Sequence, residues 1–328
     1  MHLTEQFDGK VEHYIRSEGF ILPEEQIVKY ERAGEGNMNF VVRVQTILNS
    51  VILKQSRPYV EKYRDIPAPI ERIWVEKKYY ETVAKNEVLA SFSPRLLAFD
   101  PRFYTLAMED LGNGSDFLGL YQQKTEISKE ELGELVNYLV TLHSLEISDF
   151  PDNSEMKKLN HEHIFQYPFM EDNGFDLDTI QPGLQALAMK YKKDPFLKNK
   201  IEKLGSRYLS KGKTLLHGDF YPGSWLKVPS GMKVIDPEFA FKGDAEFDLG
   251  VMLAHLKMAE FPENLLKEVT TSYSSEIPLN MNLLNAYTGI EILRRTIGLA
   301  QLPTGLSLSQ KDGLLSEAAQ MVIDFVEA

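Results

Sequence analysis

The first third of the chain combines short β-like runs with helical periodicity. Residues 27–55 contain three runs rich in β-branched and apolar side chains, which are separated at Gly34-Glu35-Gly36 and at Leu48-Asn49-Ser50. Runs of this kind bounded by turn residues predict an antiparallel meander. Apolar positions then recur at helical intervals over residues 70–92, which predicts a helix. A shorter helix is predicted at residues 5–18.

Two further short strands are predicted before the pattern changes. They cover residues 95–99 and 103–108 and are joined by a turn that contains Asp100-Pro101. Beyond residue 109 long helical periodicity dominates, and only residues 214–235 have the pattern of short strands.

These patterns divide the chain into two regions. Residues 1–109 form a β-rich region with one main helix, and residues 110–328 form a larger, mostly helical region. The sequence therefore predicts an α+β protein of two lobes, with the boundary near residues 109–112. The polar, proline-containing stretch at residues 150–177 predicts no definite element.

Composition excludes several classes of function. The chain holds 48 Asp and Glu against 36 Lys and Arg, a net charge of -12, which opposes non-specific binding to nucleic acid or to an anionic membrane. It contains no cysteine, so disulfides, thiolate metal sites and cysteine nucleophiles are excluded. No apolar stretch is long enough to span a membrane, and the first residues lack the apolar core of a signal peptide. We therefore expect a soluble cytoplasmic protein.

One segment of the helical region carries the clearest chemistry. Asp219 lies in the sequence HGD directly after a predicted strand, Ser224 follows five residues later, and Asp236 begins the sequence DPE. Phosphoryl transfer requires a carboxylate that accepts the hydroxyl proton and oxygen ligands that hold magnesium. This order matches the catalytic and metal-binding segments of protein kinases, with HGD in place of H-R-D and DPE in place of D-F-G. An isolated HGD or DP would indicate only a turn, but the combined spacings favour catalysis.

Other polar residues allow more than one interpretation. Glu238 is either a second magnesium ligand or a surface carboxylate, and we favour the ligand. His217 is more typical of a scaffold residue than of a base, and His143, in an apolar helical stretch, predicts a packed, hydrogen-bonded histidine. Asp248 is interpreted as a structural brace for the HGD loop. The sequence His161-Glu162-His163 has no third partner at a metal-ligand spacing, which favours a solvated loop.

Seven separated segments carry a family resemblance. They are GEGNMNFVVRV from Gly34, VILKQSRPYV from Val51, AMEDL from Ala107, HGDFYPGS from His217, VIDPEFAF from Val234, FDLG from Phe247 and LRRTIGLAQ from Leu293. In order and spacing they resemble the aminoglycoside phosphotransferase and choline kinase superfamily, and within it the methylthioribose kinase family. The resemblance implies a two-lobe protein-kinase-like fold, ATP and Mg²⁺ as cofactors, a small-molecule substrate and a homodimer.

The resemblance also implies a nucleotide site in the N-terminal lobe. Lys54 corresponds to the lysine that contacts the α- and β-phosphates, and Glu76 is its implied ion-pair partner, although Glu71 and Glu81 lie on the same predicted helix. Glycines in the first turn would let backbone N–H groups approach the phosphates, and the AMEDL segment would pair with adenine. The implied nucleotide-binding residues are Gly34, Gly36, Asn37, Lys54, Glu76, Met108, Glu109 and Leu111.

Metal-binding and acceptor residues are implied in the same way. Asp219 corresponds to the base that orients the acceptor hydroxyl. The implied metal ligands are Ser224, Asp236 and Glu238. The implied acceptor contacts are Asp219, Tyr221, Arg294 and Arg295, and the guanidinium groups suit bidentate recognition of oxygen-rich groups.

The match departs from the family inside the HGD loop. Methylthioribose kinase-like sequences usually read Leu-His-Thr after HGD, whereas this chain reads Phe220-Tyr221-Pro222. These positions border the acceptor pocket, so the acceptor is either 5-methylthioribose or another sugar, an aminoglycoside or an amino alcohol. A nucleotide-binding module without catalysis is the third alternative. Acidic groups around the acceptor would favour a cationic substrate, and the two arginines would favour a neutral polyol.

Overall fold

The computed structural model describes residues 1–34 and 38–326, in which the chain forms two compact units. The first unit comprises Met1–Gly114 and Val228–Ala240, and the second comprises Ser115–Lys227 and Phe241–Ala328. The sequence pattern predicted a single division after residue 109. The chain instead returns to the first unit for thirteen residues, Val228–Ala240, which include Asp236 and Glu238.

The first unit is built on an antiparallel sheet. Its elements in chain order are α1 (Gly9–Ser17), β1 (Ile27–Arg32), β2 (Phe40–Thr46), β3 (Ser50–Gln55), β4 (Tyr59–Val60), β5 (Tyr63–Pro67), α2 (Arg72–Val83), α3 (Glu87–Phe92), β6 (Leu96–Asp100) and β7 (Thr105–Glu109). Five strands pair in the order β1-β2-β3-β7-β6, and β4 pairs with β5. Every second residue of β2 is buried, as expected for a strand with one face on the core. These side chains and the buried side chains of α1 belong to one hydrophobic core.

The predicted meander of β1, β2 and β3 is confirmed, but the helix predicted over residues 70–92 is two helices. Asn86 is the reason. Its side chain accepts a hydrogen bond from the backbone N–H of Leu89 at 3.1 Å, so it caps the start of α3. An N-cap residue has extended backbone geometry, which interrupts the preceding helical run although the apolar periodicity continues through it.

The second unit is mostly helical. The elements after β7 are β8 (Ser115–Asp116), α4 (Lys129–His143), α5 (Ser154–His161), α6 (Leu184–Lys192), α7 (Pro195–Leu209), β9 (Thr214–Leu216), β10 (Trp225–Val228), β11 (Gly231–Val234), β12 (Phe241–Gly243), α8 (Glu246–Met258), α9 (Glu263–Ser274), α10 (Met281–Ile297) and α11 (Leu308–Ile323), of which β11 belongs to the first unit. In the described part of the chain, no helix is both long enough and apolar enough to cross a membrane.

Helix α10 is the core helix of the second unit. Most of its residues are buried, which is typical of a helix surrounded by protein on all sides. It packs against α8 and α11, and Gly289 permits the close approach of α11, since a Cβ atom there would lie 2.5 Å from the carbonyl oxygen of Ala318. The buried residues of this helix include two charged side chains, Glu291 and Arg294.

The stretch without a definite prediction contains α5 and several short turns. The solvated loop predicted at His161-Glu162-His163 was wrong, because His161 ends α5 and residues Glu162–Gln166 continue as one π-helical turn. The imidazole of His161 stacks against the rings of Phe165 and Tyr208. Aromatic packing therefore orders a segment whose composition is typical of a loop.

Lys192 is a buried cation at the end of α6. Its side chain is fully buried, and within residues 1–34 and 38–326 its Nζ atom has no hydrogen-bond partner. Burial lowers the pKa of Lys192. We expect Lys192→Met to raise the free energy of unfolding by about 1–2 kcal/mol, because methionine fills a similar volume without an unpaired charge.

Urea unfolding measures this change, and Lys193→Met is the matched control. Lys193 is the next residue along the chain and is exposed, so its replacement should change stability by less than about 0.5 kcal/mol. A Lys192→Met variant less stable than the wild type would contradict the interpretation of Lys192 as an uncompensated charge.

Candidate active site

In the first unit, strand β3 places Lys54 beside two carboxylates. The Nζ atom of Lys54 lies 2.7 Å from Oε1 of Glu76 on α2 and 2.5 Å from Oδ1 of Asp236. The side chains of Lys54 and Glu76 are buried, whereas half of the Asp236 side chain is exposed. Glu81 instead pairs with Lys77 on the same helix. Lys54, Glu76 and Asp236, which are far apart in sequence, thus form one ion-pair cluster. All three are among the site residues predicted from the sequence.

The conformation of Asp236 is unusual for a residue other than glycine. Its φ of 63° and ψ of 48° lie in the left-handed region. A non-glycine residue held there costs about 1–3 kcal/mol, and such strain concentrates at functional sites. In this conformation one carboxylate oxygen of Asp236 contacts Lys54, and half of the Asp236 side chain stays exposed.

Glu238 is held differently. Its Oε2 atom accepts hydrogen bonds from Nε of Arg72 at 3.0 Å and from Nδ2 of Asn39 at 2.9 Å, and its side chain is buried. Arg72 also donates to the carbonyl oxygen of Met38 at 2.7 Å. Glu238 is therefore not the surface carboxylate of the alternative interpretation, and its bonds tie the start of α2 to the chain just before β2. Sequence reasoning missed Arg72 and Asn39, because nothing in the sequence distinguishes Arg72 from the other charged residues of α2.

When all its carboxylates are ionised, the cluster around Lys54 has one more negative than positive charge. Three carboxylates, Glu76, Asp236 and Glu238, face the cations of Lys54 and Arg72. Burial raises the pKa of Glu76 to about 7, and it also raises the pKa of Glu238. Burial opposes the charge of Lys54, but Asp236 and Glu76 outweigh it and raise the lysine pKa. A further cation beside Asp236 would relieve the excess negative charge.

This cluster gives the nucleotide-free protein a pH dependence. The folded-state pKa of Glu76, about 7, exceeds its ordinary value of 4.5, so the folded state binds a proton more readily than the unfolded state between these values. We therefore expect the free energy of unfolding to fall as pH rises from 4.5 to 7, by at most about 3 kcal/mol from this group. Glu76→Gln should flatten that dependence in urea unfolding measured across the window.

Glu71→Gln is the control for this measurement. Glu71 precedes α2 and is exposed, so the variant should keep the pH dependence of the wild type. Equal slopes for Glu76→Gln and the wild type would show that another group titrates there.

The predicted adenine segment lies at the end of β7. Met108 pairs with Ile52 of β3, and the N–H of Glu109 donates to the carbonyl oxygen of Arg95 at 2.9 Å. Leu111 follows β7 and is half-buried. Asp110, which sequence reasoning missed, accepts a bidentate hydrogen bond from Arg43 at 2.7 and 3.0 Å. This ion pair fixes the chain where the segment leaves the sheet.

Of the predicted glycine turn, the structure describes Gly34 only. Its φ of +74° is in the left-handed region, and apart from its chain neighbours no described residue has an atom within 4 Å of where a Cβ would stand. Gly36 and Asn37 lie outside the described residues, and their assignment stays a prediction.

In the second unit, the HGD loop follows β9 and is held by hydrogen bonds to Asp248. The carboxylate of Asp248 accepts hydrogen bonds from the backbone N–H groups of His217 at 2.7 Å and Gly218 at 3.0 Å. His143, which is buried and hydrogen-bonded to Tyr273 as predicted for a packed histidine, lies 3.2 Å from the same carboxylate. Asp248 thus fixes the backbone that leads into Asp219.

Ser224 closes the same loop from inside. Its hydroxyl group lies 2.8 Å from the carbonyl oxygen of Tyr221 and 3.1 Å from that of Asp219, and its side chain is buried. A hydroxyl engaged in this way stabilises the loop. Its assignment as a metal ligand stays a prediction, and these internal hydrogen bonds do not favour it.

Helix α10 brings both predicted arginines to Asp219. The Oδ1 atom of Asp219 lies 3.5 Å from Nη2 of Arg295 and 3.9 Å from Nη2 of Arg294. The guanidinium group of Arg295 also lies 5.0 Å from the ring centroid of Tyr221. All four predicted acceptor contacts therefore lie together in this unit. Sequence reasoning missed Glu291, which contacts both arginines.

A magnesium ion can be tested against this donor set. Within the described residues, no group of three His, Asp or Glu side chains is arranged to hold a metal by itself. Magnesium on a nucleotide needs only one or two protein carboxylates together with the phosphates. The half-exposed carboxylate of Asp236 fits that requirement, whereas Glu238 already binds Arg72 and Asn39.

A family comparison decides the broad class of the protein. The model of the phosphotransferase enzyme family matches residues 29–284, most of the chain. The chain belongs to the phosphotransferase enzyme family. It is an enzyme that transfers a phosphoryl group to a hydroxyl acceptor.

Curated relatives of this family member are named methylthioribose kinase. The protein from Exiguobacterium sibiricum is 29% identical, covering 83% of this chain and 80% of that protein. The one from Bacillus cereus is 27% identical, covering 88% of this chain and 83% of its own length. The resemblance predicted from the seven segments is confirmed at this level.

Solved structures confirm the fold class. Choline kinase LicA from Streptococcus pneumoniae matches with a TM-score of 0.55 and 14% identity, covering 95% of this chain and 97% of that chain. A likeness at this identity concerns the fold, and the α+β, protein-kinase-like class predicted from the sequence is correct.

Proposed function

We propose that this phosphotransferase uses Mg-ATP to phosphorylate a neutral, polyhydroxylated small molecule, with 5-methylthioribose as the leading candidate. The ion pairs of Lys54 with Glu76 and Asp236 carry the ATP part of the proposal. Kinases require a lysine that is paired with a helix glutamate, together with a nearby aspartate that holds magnesium, and Lys54, Glu76 and Asp236 offer these groups.

On the nucleotide side, Lys54 contacts the α- and β-phosphates and Glu76 fixes the direction of the lysine. Asp236 is the residue that holds magnesium, and the backbone of residues 108–111 pairs with adenine. Magnesium, when bound, neutralises charge on the β- and γ-phosphates. The buried Glu238 supports this arrangement through Arg72 and Asn39.

On the acceptor side, Asp219 accepts the proton of the attacking hydroxyl group, and its carboxylate orients that oxygen. Arg294 and Arg295 donate hydrogen bonds to acceptor oxygens or to the transferred phosphoryl group. The brace from Asp248 keeps the Asp219 backbone in place, so the base needs little rearrangement during the reaction.

The charges around Asp219 support a neutral acceptor. Two guanidinium groups lie within 4 Å of its carboxylate, and together with Glu291 they leave no excess negative charge that would attract a cation. The hydroxyl groups of a sugar can accept hydrogen bonds from the guanidinium groups, whereas a quaternary or protonated amine cannot. The names of the curated relatives support 5-methylthioribose among neutral acceptors.

A coupled assay of ADP release tests the proposal. Purified protein is incubated with Mg-ATP and one acceptor at a time. The acceptors are 5-methylthioribose, ribose, choline, ethanolamine and an aminoglycoside. We expect turnover with 5-methylthioribose above every other acceptor. Background turnover with it, together with phosphorylation of a cationic acceptor, would overturn the substrate assignment.

Thermal unfolding with nucleotide distinguishes an active kinase from a nucleotide-binding module without catalysis. Nucleotide at 100 times its dissociation constant should stabilise the fold by about 2.7 kcal/mol. That stabilisation without turnover of any acceptor would identify a nucleotide-binding module without catalysis.

A further inference from the structure

Glu291 lies at the centre of a buried network behind the acceptor residues. Its Oε1 atom accepts hydrogen bonds from Nε of Arg295 and from Nη2 of Arg294, each at 2.9 Å, and its Oε2 atom accepts from Nε of Arg294. Its side chain is buried on α10. Although burial alone would favour the protonated acid, both arginines hold the pKa of Glu291 well below its usual range. Glu291 is therefore a fixed negative charge.

Two residues outside α10 support Glu291. Nε2 of His255, on α8, lies 2.9 Å from Oε1 of Glu291, and Nδ1 of His255 lies 2.5 Å from the hydroxyl group of Tyr121. Burial lowers the pKa of His255 to about 4, so the imidazole is neutral near pH 7. The hydrogen-bond network then assigns the proton to Nε2, which donates to Glu291, while Nδ1 accepts from Tyr121.

Both arginines bind Glu291 more closely than they bind Asp219. Each arginine binds Glu291 through its Nε atom, and the nearest guanidinium nitrogens stand 3.5 and 3.9 Å from Oδ1 of Asp219. Tight ion pairs between guanidinium and carboxylate groups are about 2.7–2.9 Å. Two arginines and two carboxylates balance in charge, so neither arginine is forced onto Asp219.

We propose that Glu291, held by His255 and Tyr121, is a positioning residue that keeps the two arginines short of Asp219. The restraint leaves the Asp219 carboxylate able to accept a hydroxyl proton, and it leaves the arginine Nη groups able to bind acceptor oxygens. The proposal rests on the acceptor roles of Asp219, Arg294 and Arg295 proposed above.

Glu291→Gln tests the restraint by removing the charge while keeping the shape. Without that charge both arginines move onto Asp219 and pair with its carboxylate at about 2.7–2.9 Å. We expect kcat to fall at least about 10-fold with the KM for ATP unchanged, because a carboxylate paired in this way accepts the hydroxyl proton less readily. A crystal structure of the variant gives the distances from Oδ1 of Asp219 to the Nη2 atoms of the two arginines.

Glu268→Gln is the matched control, because Glu268 forms an exposed ion pair with Lys129. It should leave both these distances and turnover as in the wild type. A Glu291→Gln structure in which both distances are unchanged overturns the proposal, and so does an effect confined to thermal stability. If Glu291→Gln does not fold, Tyr121→Phe decides the matter, since loss of one hydroxyl group should lower kcat a few-fold and unchanged kcat contradicts the proposal.

The two readouts separate this proposal from the proposed function. Inactivity of the wild type toward every acceptor would refute the proposed function, whereas the structure of Glu291→Gln would still show whether Glu291 keeps the two arginines away from Asp219.

Discussion

Replacing Asp219 with asparagine is expected to lower turnover by about 10²- to 10⁴-fold, with the affinity for ATP largely kept. Asparagine has nearly the same shape as aspartate but cannot accept the hydroxyl proton as a carboxylate does. The residues proposed to bind ATP belong to the other unit and do not change. Steady-state kinetics with ADP detection gives kcat, and thermal unfolding with and without ATP gives nucleotide binding.

Asp172→Asn is the control for the Asp219 variant, since Asp172 is exposed and its amide can keep the same turn. It should behave like the wild type. If Asp219→Asn lost nucleotide binding together with turnover, Asp219 would be a structural residue and its assignment as the base would be wrong.

Replacing Asp236 with asparagine is expected to lower turnover at least about 100-fold and to raise the magnesium concentration needed for activity. Asparagine tolerates the left-handed conformation of residue 236 better than most side chains do, so the backbone can stay in place. The loss then reports the missing carboxylate charge beside Lys54 and not a change in the loop.

A titration of kcat against magnesium concentration measures this effect. Circular dichroism and urea unfolding should show a fold at least as stable as the wild type, because the substitution removes part of the excess negative charge in the cluster. Wild-type turnover at low magnesium would contradict the metal-binding role of Asp236.

Much of the fold follows from local sequence patterns. Strands β1, β2 and β3 were predictable because alternation and turn residues are short-range signals. The break between α2 and α3 was not, since the capping of Leu89 by Asn86 interrupts backbone geometry without interrupting apolar periodicity. The segment around His161 was unpredictable for a related reason, because its order comes from stacking on Tyr208, a residue of α7.

The candidate site also contains some residues that the sequence indicated and others that it did not. Asp219 and Asp236 were assigned from motif spacing, and Lys54 was assigned from the family resemblance. The partners of Glu238 and the position of Glu291 depend on tertiary contacts that no motif specifies. Glu291 leaves a trace in the sequence, because it lies in a helix whose preceding residues are all uncharged, whereas Arg72 is one of several charged residues of α2.

The discontinuity of the first unit has a consequence for how this protein can be divided. A fragment that ends at Gly114 would lack residues 228–240, and with them the carboxylates of Asp236 and Glu238. Lys54 would keep Glu76 alone, and the guanidinium group of Arg72 would lose its carboxylate partner. The first unit is therefore not encoded by one continuous segment, and exchange of such units between related enzymes would require two separate segments to be inherited together.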